Sequence, residues 1–177
     1  MRRVVYVALL RGINVGGKTK IPMAALRDSC AAAGCEDVVT YIQSGNIVLK
    51  SRLSAEKLRA ALEEAIAREF GFNPTVMIRT AKELAAVVDR NPYPDAGDKT
   101  VHVGFLHAAP KATTKKCLAA IDCGPEELTV AGRDIFLHLP NGMGRAALPV
   151  QMDRCLRPTQ ITVRNWRTVT KLVELSG

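Results

Sequence analysis

The strongest constraint on this chain is that it repeats itself. Val4-Val5-Tyr6-Val7-Ala8-Leu9-Leu10-Arg11 aligns with Thr100-Val101-His102-Val103-Gly104-Phe105-Leu106-His107, two strand-like runs rich in β-branched residues. Pro22 to Ala33 then reads as a helix, with proline in its first turn and Gly34 as its stop; Lys111 to Ile121 follows Pro110 in the same way. A hairpin comes next. Val38 to Gln43 and Ile47 to Lys50 flank the turn Ser44-Gly45-Asn46, and Glu127 to Val130 and Asp134 to Leu139 flank Ala131-Gly132-Arg133. Behind Ser54 as N-cap, Leu58, Leu62, Ala65 and Ile66 recur at helical spacing over Ala55 to Phe70. The fourth strands, Thr75 to Arg79 and Gln160 to Arg164, lead to a Thr80–Glu83 capping box and to Asn165 as a cap. Closing helices carry Leu84, Val87 and Val88 in one half and Val169, Leu172 and Val173 in the other.

This order predicts an α+β fold: two tandem ferredoxin-like βαββαβ(α) halves, with antiparallel sheets and helices on one face. The halves are residues 1–90 and 100–177, and the Pro-, Gly- and Asp-rich stretch from Asp89 to Lys99 supplies a linker at 91–99.

At 47% hydrophobic residues, the chain can build a core and is not expected to be disordered. No apolar run approaches the length of a membrane span. Met1-Arg2-Arg3 and the apolar run behind it suggest a signal peptide, but Arg11 ends that run and no small-residue cleavage site follows. A cytoplasmic location is expected. The five cysteines include no C-x-x-C pair, and with three histidines no spacing fits a zinc site, so reduced, mostly buried thiols are expected, with no metal and no cofactor. The net charge of +8 favours anionic partners, although solubility alone also accounts for such a balance.

Function is sought where the two copies differ, because a loop present in one copy is not needed by the common core. After its first strand the first half inserts Gly12 to Ile21, where the second has little more than Ala108-Ala109-Pro110. After its third strand the second half carries Pro140-Asn141-Gly142-Met143-Gly144-Arg145, with Pro149 and Pro158 interrupting the helix that follows; the first half has Ser51-Arg52-Leu53. Both extra loops are Gly-rich and basic, which suits backbone N–H groups and cations converging on one anion, though glycines also simply turn a chain. The split βαβ topology puts Arg11, Asn14, Lys18 and Lys20 on one edge with Gln43, Ser44 and Asn46. It puts Asn141 and Arg145 on an edge with Arg164, Asn165 and Trp166.

Gly12 to Thr19 also spells G-x-x-x-x-G-K-[ST], the phosphate loop of nucleotide hydrolases. That loop opens a parallel sheet, whereas here a short helix leads to a hairpin, and Pro22 starts the helix too late. RNA recognition by tandem split βαβ units needs aromatic stacking platforms, and the third strands hold Ile47-Val48-Leu49 and Ile135-Phe136-Leu137.

Four motifs in order, "LLRGINVGGKTKIPM" (Leu9–Met23), "TYIQSGNIVL" (Thr40–Leu49), "LHLPNGMGR" (Leu137–Arg145) and "TVRNWRTVTKL" (Thr162–Leu172), resemble the bacterial family numbered sixteen ninety-seven among the domains of unknown function. The resemblance implies an α+β fold with a ferredoxin-like part and carries over no activity, cofactor or catalytic residue. It also implies that Thr19 completes the phosphate-loop pattern by accident, since the family typically has "GKNK" there. Ala146 stands where the family commonly has serine.

The leading functional expectation is a binding module for an anionic ligand, either nucleic acid or a phosphorylated molecule. Arg11, Lys18, Lys20, Arg145 and Arg164 would contact phosphate, and Asn14, Gln43, Asn46 and Asn141 would give directional hydrogen bonds. One alternative is an enzyme acting on a phosphorylated small molecule, with Lys18 or Arg145 stabilising developing charge. No acid–base pair supports it: Ser44 has no evident histidine partner, since His102, His107 and His138 lie on second-half strands. The other alternative is a structural or oligomerising protein in which both loops are packed turns.

Overall fold

The computed structural model describes residues 2–17 and 19–177. The chain forms two compact units, one comprising residues 1–86 with 171–177 and the other residues 87–170.

The first unit contains β1 (Val4–Arg11), α1 (Met23–Ala32), β2 (Glu36–Tyr41), β3 (Asn46–Ser51), α2 (Ala55–Phe70) and β4 (Thr75–Thr80), and leads into α3 (Ala81–Asp89). Its antiparallel sheet has the order β2-β3-β1-β4. Alternation along the strands turns Tyr6, Ala8, Leu10, Ile47, Leu49, Val76 and Ile78 toward the helices, where they meet Leu26 and Cys30 of α1 and Leu58, Leu62 and Ile66 of α2. Each such leucine, fully withdrawn from water, contributes about 1.5–3 kcal/mol. Ser54 caps α2 by accepting from the Lys57 N–H, and Gly71 ends it in the left-handed conformation. The capping box forms at the β4–α3 junction: the Glu83 carboxylate accepts from Thr80 N at 2.8 Å, and Thr80 Oγ1 accepts from Glu83 N at 3.1 Å.

The second unit contains β5 (Val101–Phe105), α4 (Ala112–Ala119), β6 (Glu127–Ala131), β7 (Asp134–His138), a 3₁₀ turn at Met143–Arg145, α5 (Leu148–Leu156) and β8 (Thr162–Asn165), and leads into α6 (Trp166–Ser176). Its strand order, β6-β7-β5-β8, repeats that of the first. Leu118 of α4 and Leu148, Met152 and Leu156 of α5 pack on Ile135, Leu137 and Ile161. Register confirms the repeat at residue level. Val7 opposes Arg79 as Val103 opposes Arg164, and both arginines are buried.

Pro149 lies in the first turn of α5, where a missing N–H costs nothing, and Pro158 lies beyond its end, so the prolines bound the helix. The Glu126 carboxylate accepts from Ala147 N and Leu148 N at its start.

Two sequence expectations need correction. The hairpin turn is not Ser44-Gly45-Asn46: β2 ends at Tyr41, the chain turns through residues 42–45, and Asn46 is already the first residue of β3. Positive φ at Ile42 (49°) and Gly45 (75°) makes this turn, and nothing about an isoleucine announces such a backbone. The cysteines are not all thiols either. Cys117 and Cys155 form a disulfide with Cα atoms 5.6 Å apart, because α4 and α5 pack against one another on the same face.

His102 is a buried polar group on β5 whose Nδ1 has no hydrogen-bond partner among the described residues. Burial pushes its imidazole below the ordinary histidine pKa, and the Thr100 backbone acts more weakly in the opposite direction. With the folded value below the unfolded one, near 6.5, the unfolded chain binds more protons as pH falls between the two. Stability is therefore intact above about 6.5 and declines as pH drops through the folded value. Urea unfolding midpoints at descending pH should fall less steeply in His102→Leu than in the parent chain.

Candidate functional site

Register brings the end of β1 and the β2–β3 hairpin tip to one edge of the first unit: Leu9 opposes Asn46, and Arg11 extends just beyond. The inserted loop starts there. Ile13 folds back and is 2% exposed, and Ile21 at the other end is buried to the same degree, so two apolar residues anchor the loop. Between them the loop closes on itself. Asn14 N donates to the Thr19 carbonyl at 2.9 Å, and Thr19 Oγ1 donates to the Gly12 carbonyl at 2.7 Å.

Asn14 holds the whole arrangement. Its Nδ2 donates to the Gln43 carbonyl at 2.7 Å and to the Ile21 carbonyl at 3.2 Å, and its Oδ1 accepts from Ile21 N at 2.8 Å. Asparagine suits the position also because its φ is 54°, a left-handed value that it tolerates better than most residues. One carboxamide thus ties the two ends of the loop to the hairpin tip. The tip is held by Asn46, fully buried, whose Nδ2 donates to the Tyr41 carbonyl at 3.0 Å and to Ser44 Oγ at 2.9 Å. Gly45 completes the junction: its carbonyl accepts from Leu10 N at 2.8 Å.

Loop and tip border an open cavity of about 450 Å³ lined by Asn14, Gly17, Lys20, Ile21, Pro22 and Gln43. Among the described residues, no acidic side chain lines it. Lys20 is exposed and makes no ion pair among the described residues. Pro22 precedes α1, a helix whose N-terminus has no side-chain cap, so its first N–H groups and the positive end of its dipole stand beside the cavity. Among the described residues, the N–H groups of Val15, Gly16 and Gly17 have no hydrogen-bond acceptor. Cation, helix terminus and loop amides together can attract an anion, while Ile21 and Pro22 offer apolar wall.

Of the residues picked from sequence, Arg11, Asn14, Lys20, Gln43, Ser44 and Asn46 share this edge. Lys18 lies outside the described residues. In the second unit, Val101 opposes His138 and His102 opposes Asn165, so the ends of β7 and β8 share one edge, as the topology demands. The side chains there do different things. Asn141 and Arg145 are exposed. Arg164 is buried, donates to Thr162 Oγ1 at 2.7 Å and to the Val163 carbonyl at 3.0 Å, and has its pKa lowered to about 10 by that burial. Asn165 caps α6 by accepting from Thr168 N at 2.9 Å, and Trp166 is half-buried. Sequence reasoning missed Ile13, Ile21 and Pro22. Their signal was present as two isolated isoleucines bracketing a glycine-rich loop.

The architecture around the loop also settles the phosphate-loop pattern. β1 has antiparallel neighbours on both sides, and the Thr19 hydroxyl is turned to its own loop. The family model described as "Protein of unknown function (DUF1697)" matches residues 4–136, three-quarters of the chain. The chain belongs to this family. A solved structure with the same architecture is the conserved bacterial protein SP0830 from Streptococcus pneumoniae. It is 25% identical, with a TM-score of 0.78 over 99% of this chain and 100% of that one. Among curated proteins no significant match was found. Among the described residues no helix is long and apolar enough to cross a membrane, and no cluster of three or more His, Cys, Asp or Glu residues could hold a metal ion.

Proposed function

We propose that this chain is a cytoplasmic binding module for an anionic ligand, with the cavity beside the inserted loop as its binding site. The observation that carries the reading is that Lys20, Gly17 and Pro22, the last at the uncapped start of α1, line one cavity with no acidic lining among the described residues. Lys20 supplies charge, with Lys18 two residues before it and Arg11 where the loop begins, and the Gln43 carboxamide supplies direction. Asn14, Ser44 and Asn46 act by holding the loop and tip in place. The ligand class is a phosphorylated small molecule or a nucleic-acid phosphate.

Calorimetry at low ionic strength with inorganic phosphate, a nucleoside monophosphate and a short single-stranded oligonucleotide tests this. Saturable binding is expected for at least one, weakening as salt rises. Lys20→Ala should weaken it by about tenfold or more, as loss of one charge-assisted contact does. Absence of binding by all three, with no mobility shift of the oligonucleotide, rejects the reading.

A further inference from the structure

The disulfide of the second unit joins α4 and α5, and its setting differs from that of the two buried free cysteines. Cys30 and Cys35 are buried, and burial pushes their thiols up to about 12 and about 11, out of reach of thiolate chemistry at neutral pH. Cys117 is exposed on α4, and Cys155 is half-buried on α5. The sequence flanking both cysteines is basic. Lys115 and Lys116 precede Cys117 and Arg154 precedes Cys155, while the acidic Asp153 is engaged by Arg157 at 2.9 Å. Positive charge around a thiol favours the thiolate, the species that attacks a disulfide.

The two helices also frame a cavity. About 390 Å³ is enclosed between Ala108 to Lys111 and Thr114, at the start of α4, and Leu156 to Thr159, at the end of α5. Thr114 and Leu156 belong to the helices that the sulfur bridge ties together, and the rest of the lining comes from the segments leading into α4 and out of α5. α4 has eight residues and α5 nine, and α4 offers the core a single buried leucine, Leu118. Helices this short hold position by tertiary contacts rather than by their own propensity.

We propose that Cys117 and Cys155 are a reversible thiol–disulfide exchange site, a clasp whose closure fixes α4 against α5 and whose opening loosens the walls of the adjoining cavity. The oxidant is a low-molecular-weight disulfide of the glutathione class. The Cys117 thiolate attacks one sulfur of that disulfide, forms a mixed disulfide and expels one small thiolate. The Cys155 thiolate then attacks the Cys117 sulfur, closing the protein bridge and expelling the second. Two protein thiols become one disulfide, and one small disulfide becomes two small thiols, so electrons and protons balance. Reduction runs the same steps in reverse.

The full-length chain is equilibrated in glutathione buffers of graded redox ratio, quenched with acid and labelled with a maleimide. Mass spectrometry of peptides reads each cysteine, and amide hydrogen exchange is followed in parallel. The expected result is a two-electron transition within the buffer range, confined to Cys117 and Cys155. Cys155→Ser should trap the mixed disulfide on Cys117, and exchange at Ala112–Ala119, Arg157 and Thr159 should quicken severalfold on reduction. Four results each overturn the proposal: both cysteines labelled at every ratio, both protected at every ratio, no mixed disulfide on Cys117 in Cys155→Ser, or unchanged exchange on reduction. Cys117→Ser, at an exposed position, checks that loss of a single thiol leaves the fold intact.

Discussion

Gly45→Ala should lower stability by about 2–4 kcal/mol. Two effects add. At φ 75° an L-side chain costs about 1–2 kcal/mol. The new Cβ would also stand 2.7 Å from Leu10 Cβ and 2.8 Å from Ile13 Cδ1, and neither neighbour can withdraw freely, because one is fixed to a strand and the other anchors the loop in the core. Comparison of the halves shows where the requirement comes from. Leu10 N donates to the Gly45 carbonyl as Leu106 N donates to the Arg133 carbonyl, so Arg133 occupies the equivalent place. Arg133 does not share the positive φ of Gly45, and no inserted loop follows β5. Glycine at position 45 answers three demands: a positive φ, the close approach of Leu10 on β1 and that of Ile13 at the start of the insertion. Gly12→Ala is the control: its φ is 68°, but its Cβ would meet nothing within 4 Å. Chemical unfolding should show Gly12→Ala losing about 1 kcal/mol and Gly45→Ala losing clearly more. Equal losses would mean that the tip does not press on the loop.

Asn14→Ala should cost about 2–4 kcal/mol and disorder the loop. It leaves the N–H of buried Ile21 without its acceptor, worth about 1–3 kcal/mol, and puts alanine at a positive φ. Asn14→Asp keeps an acceptor for Ile21 N but loses the donor to the Gln43 and Ile21 carbonyls, so it should fall between the two. Amide exchange at Val15 to Lys20 and urea midpoints together read this order. If both variants match the parent, the carboxamide is not what closes the loop.

The architecture was legible because the chain states it twice. Val7 opposite Arg79 and Val103 opposite Arg164 are the pairs that the repeat alignment requires, and both sheets have the strand order of the split βαβ unit. The caps at Ser54, Thr80 and Asn165 were legible because they depend on residues three apart in sequence. What escaped depends on distance or on backbone. The Cys117–Cys155 bridge spans 38 residues and exists because two helices pack together, which cysteine spacing does not encode. The turn at 42–45 rests on a left-handed isoleucine. At the candidate site, topology predicted the shared edge, but the polar residues had to be divided between those that face solvent and those that hold the loop. Asn14 and Asn46 turned out to bond backbone, and Arg164 to lie beneath the sheet surface, because hydrogen-bonding capacity in a sequence does not reveal its partner.

The most direct test of the anion-binding reading is a residue-resolved amide chemical-shift map recorded while inorganic phosphate is titrated into the protein at low ionic strength. The account predicts saturable shifts centred on Val15, Gly16, Gly17, Lys20 and the first turn of α1, reversed by added salt and lost in Lys20→Ala. Shifts absent from that loop at saturating phosphate, or confined to another part of the chain, would contradict it.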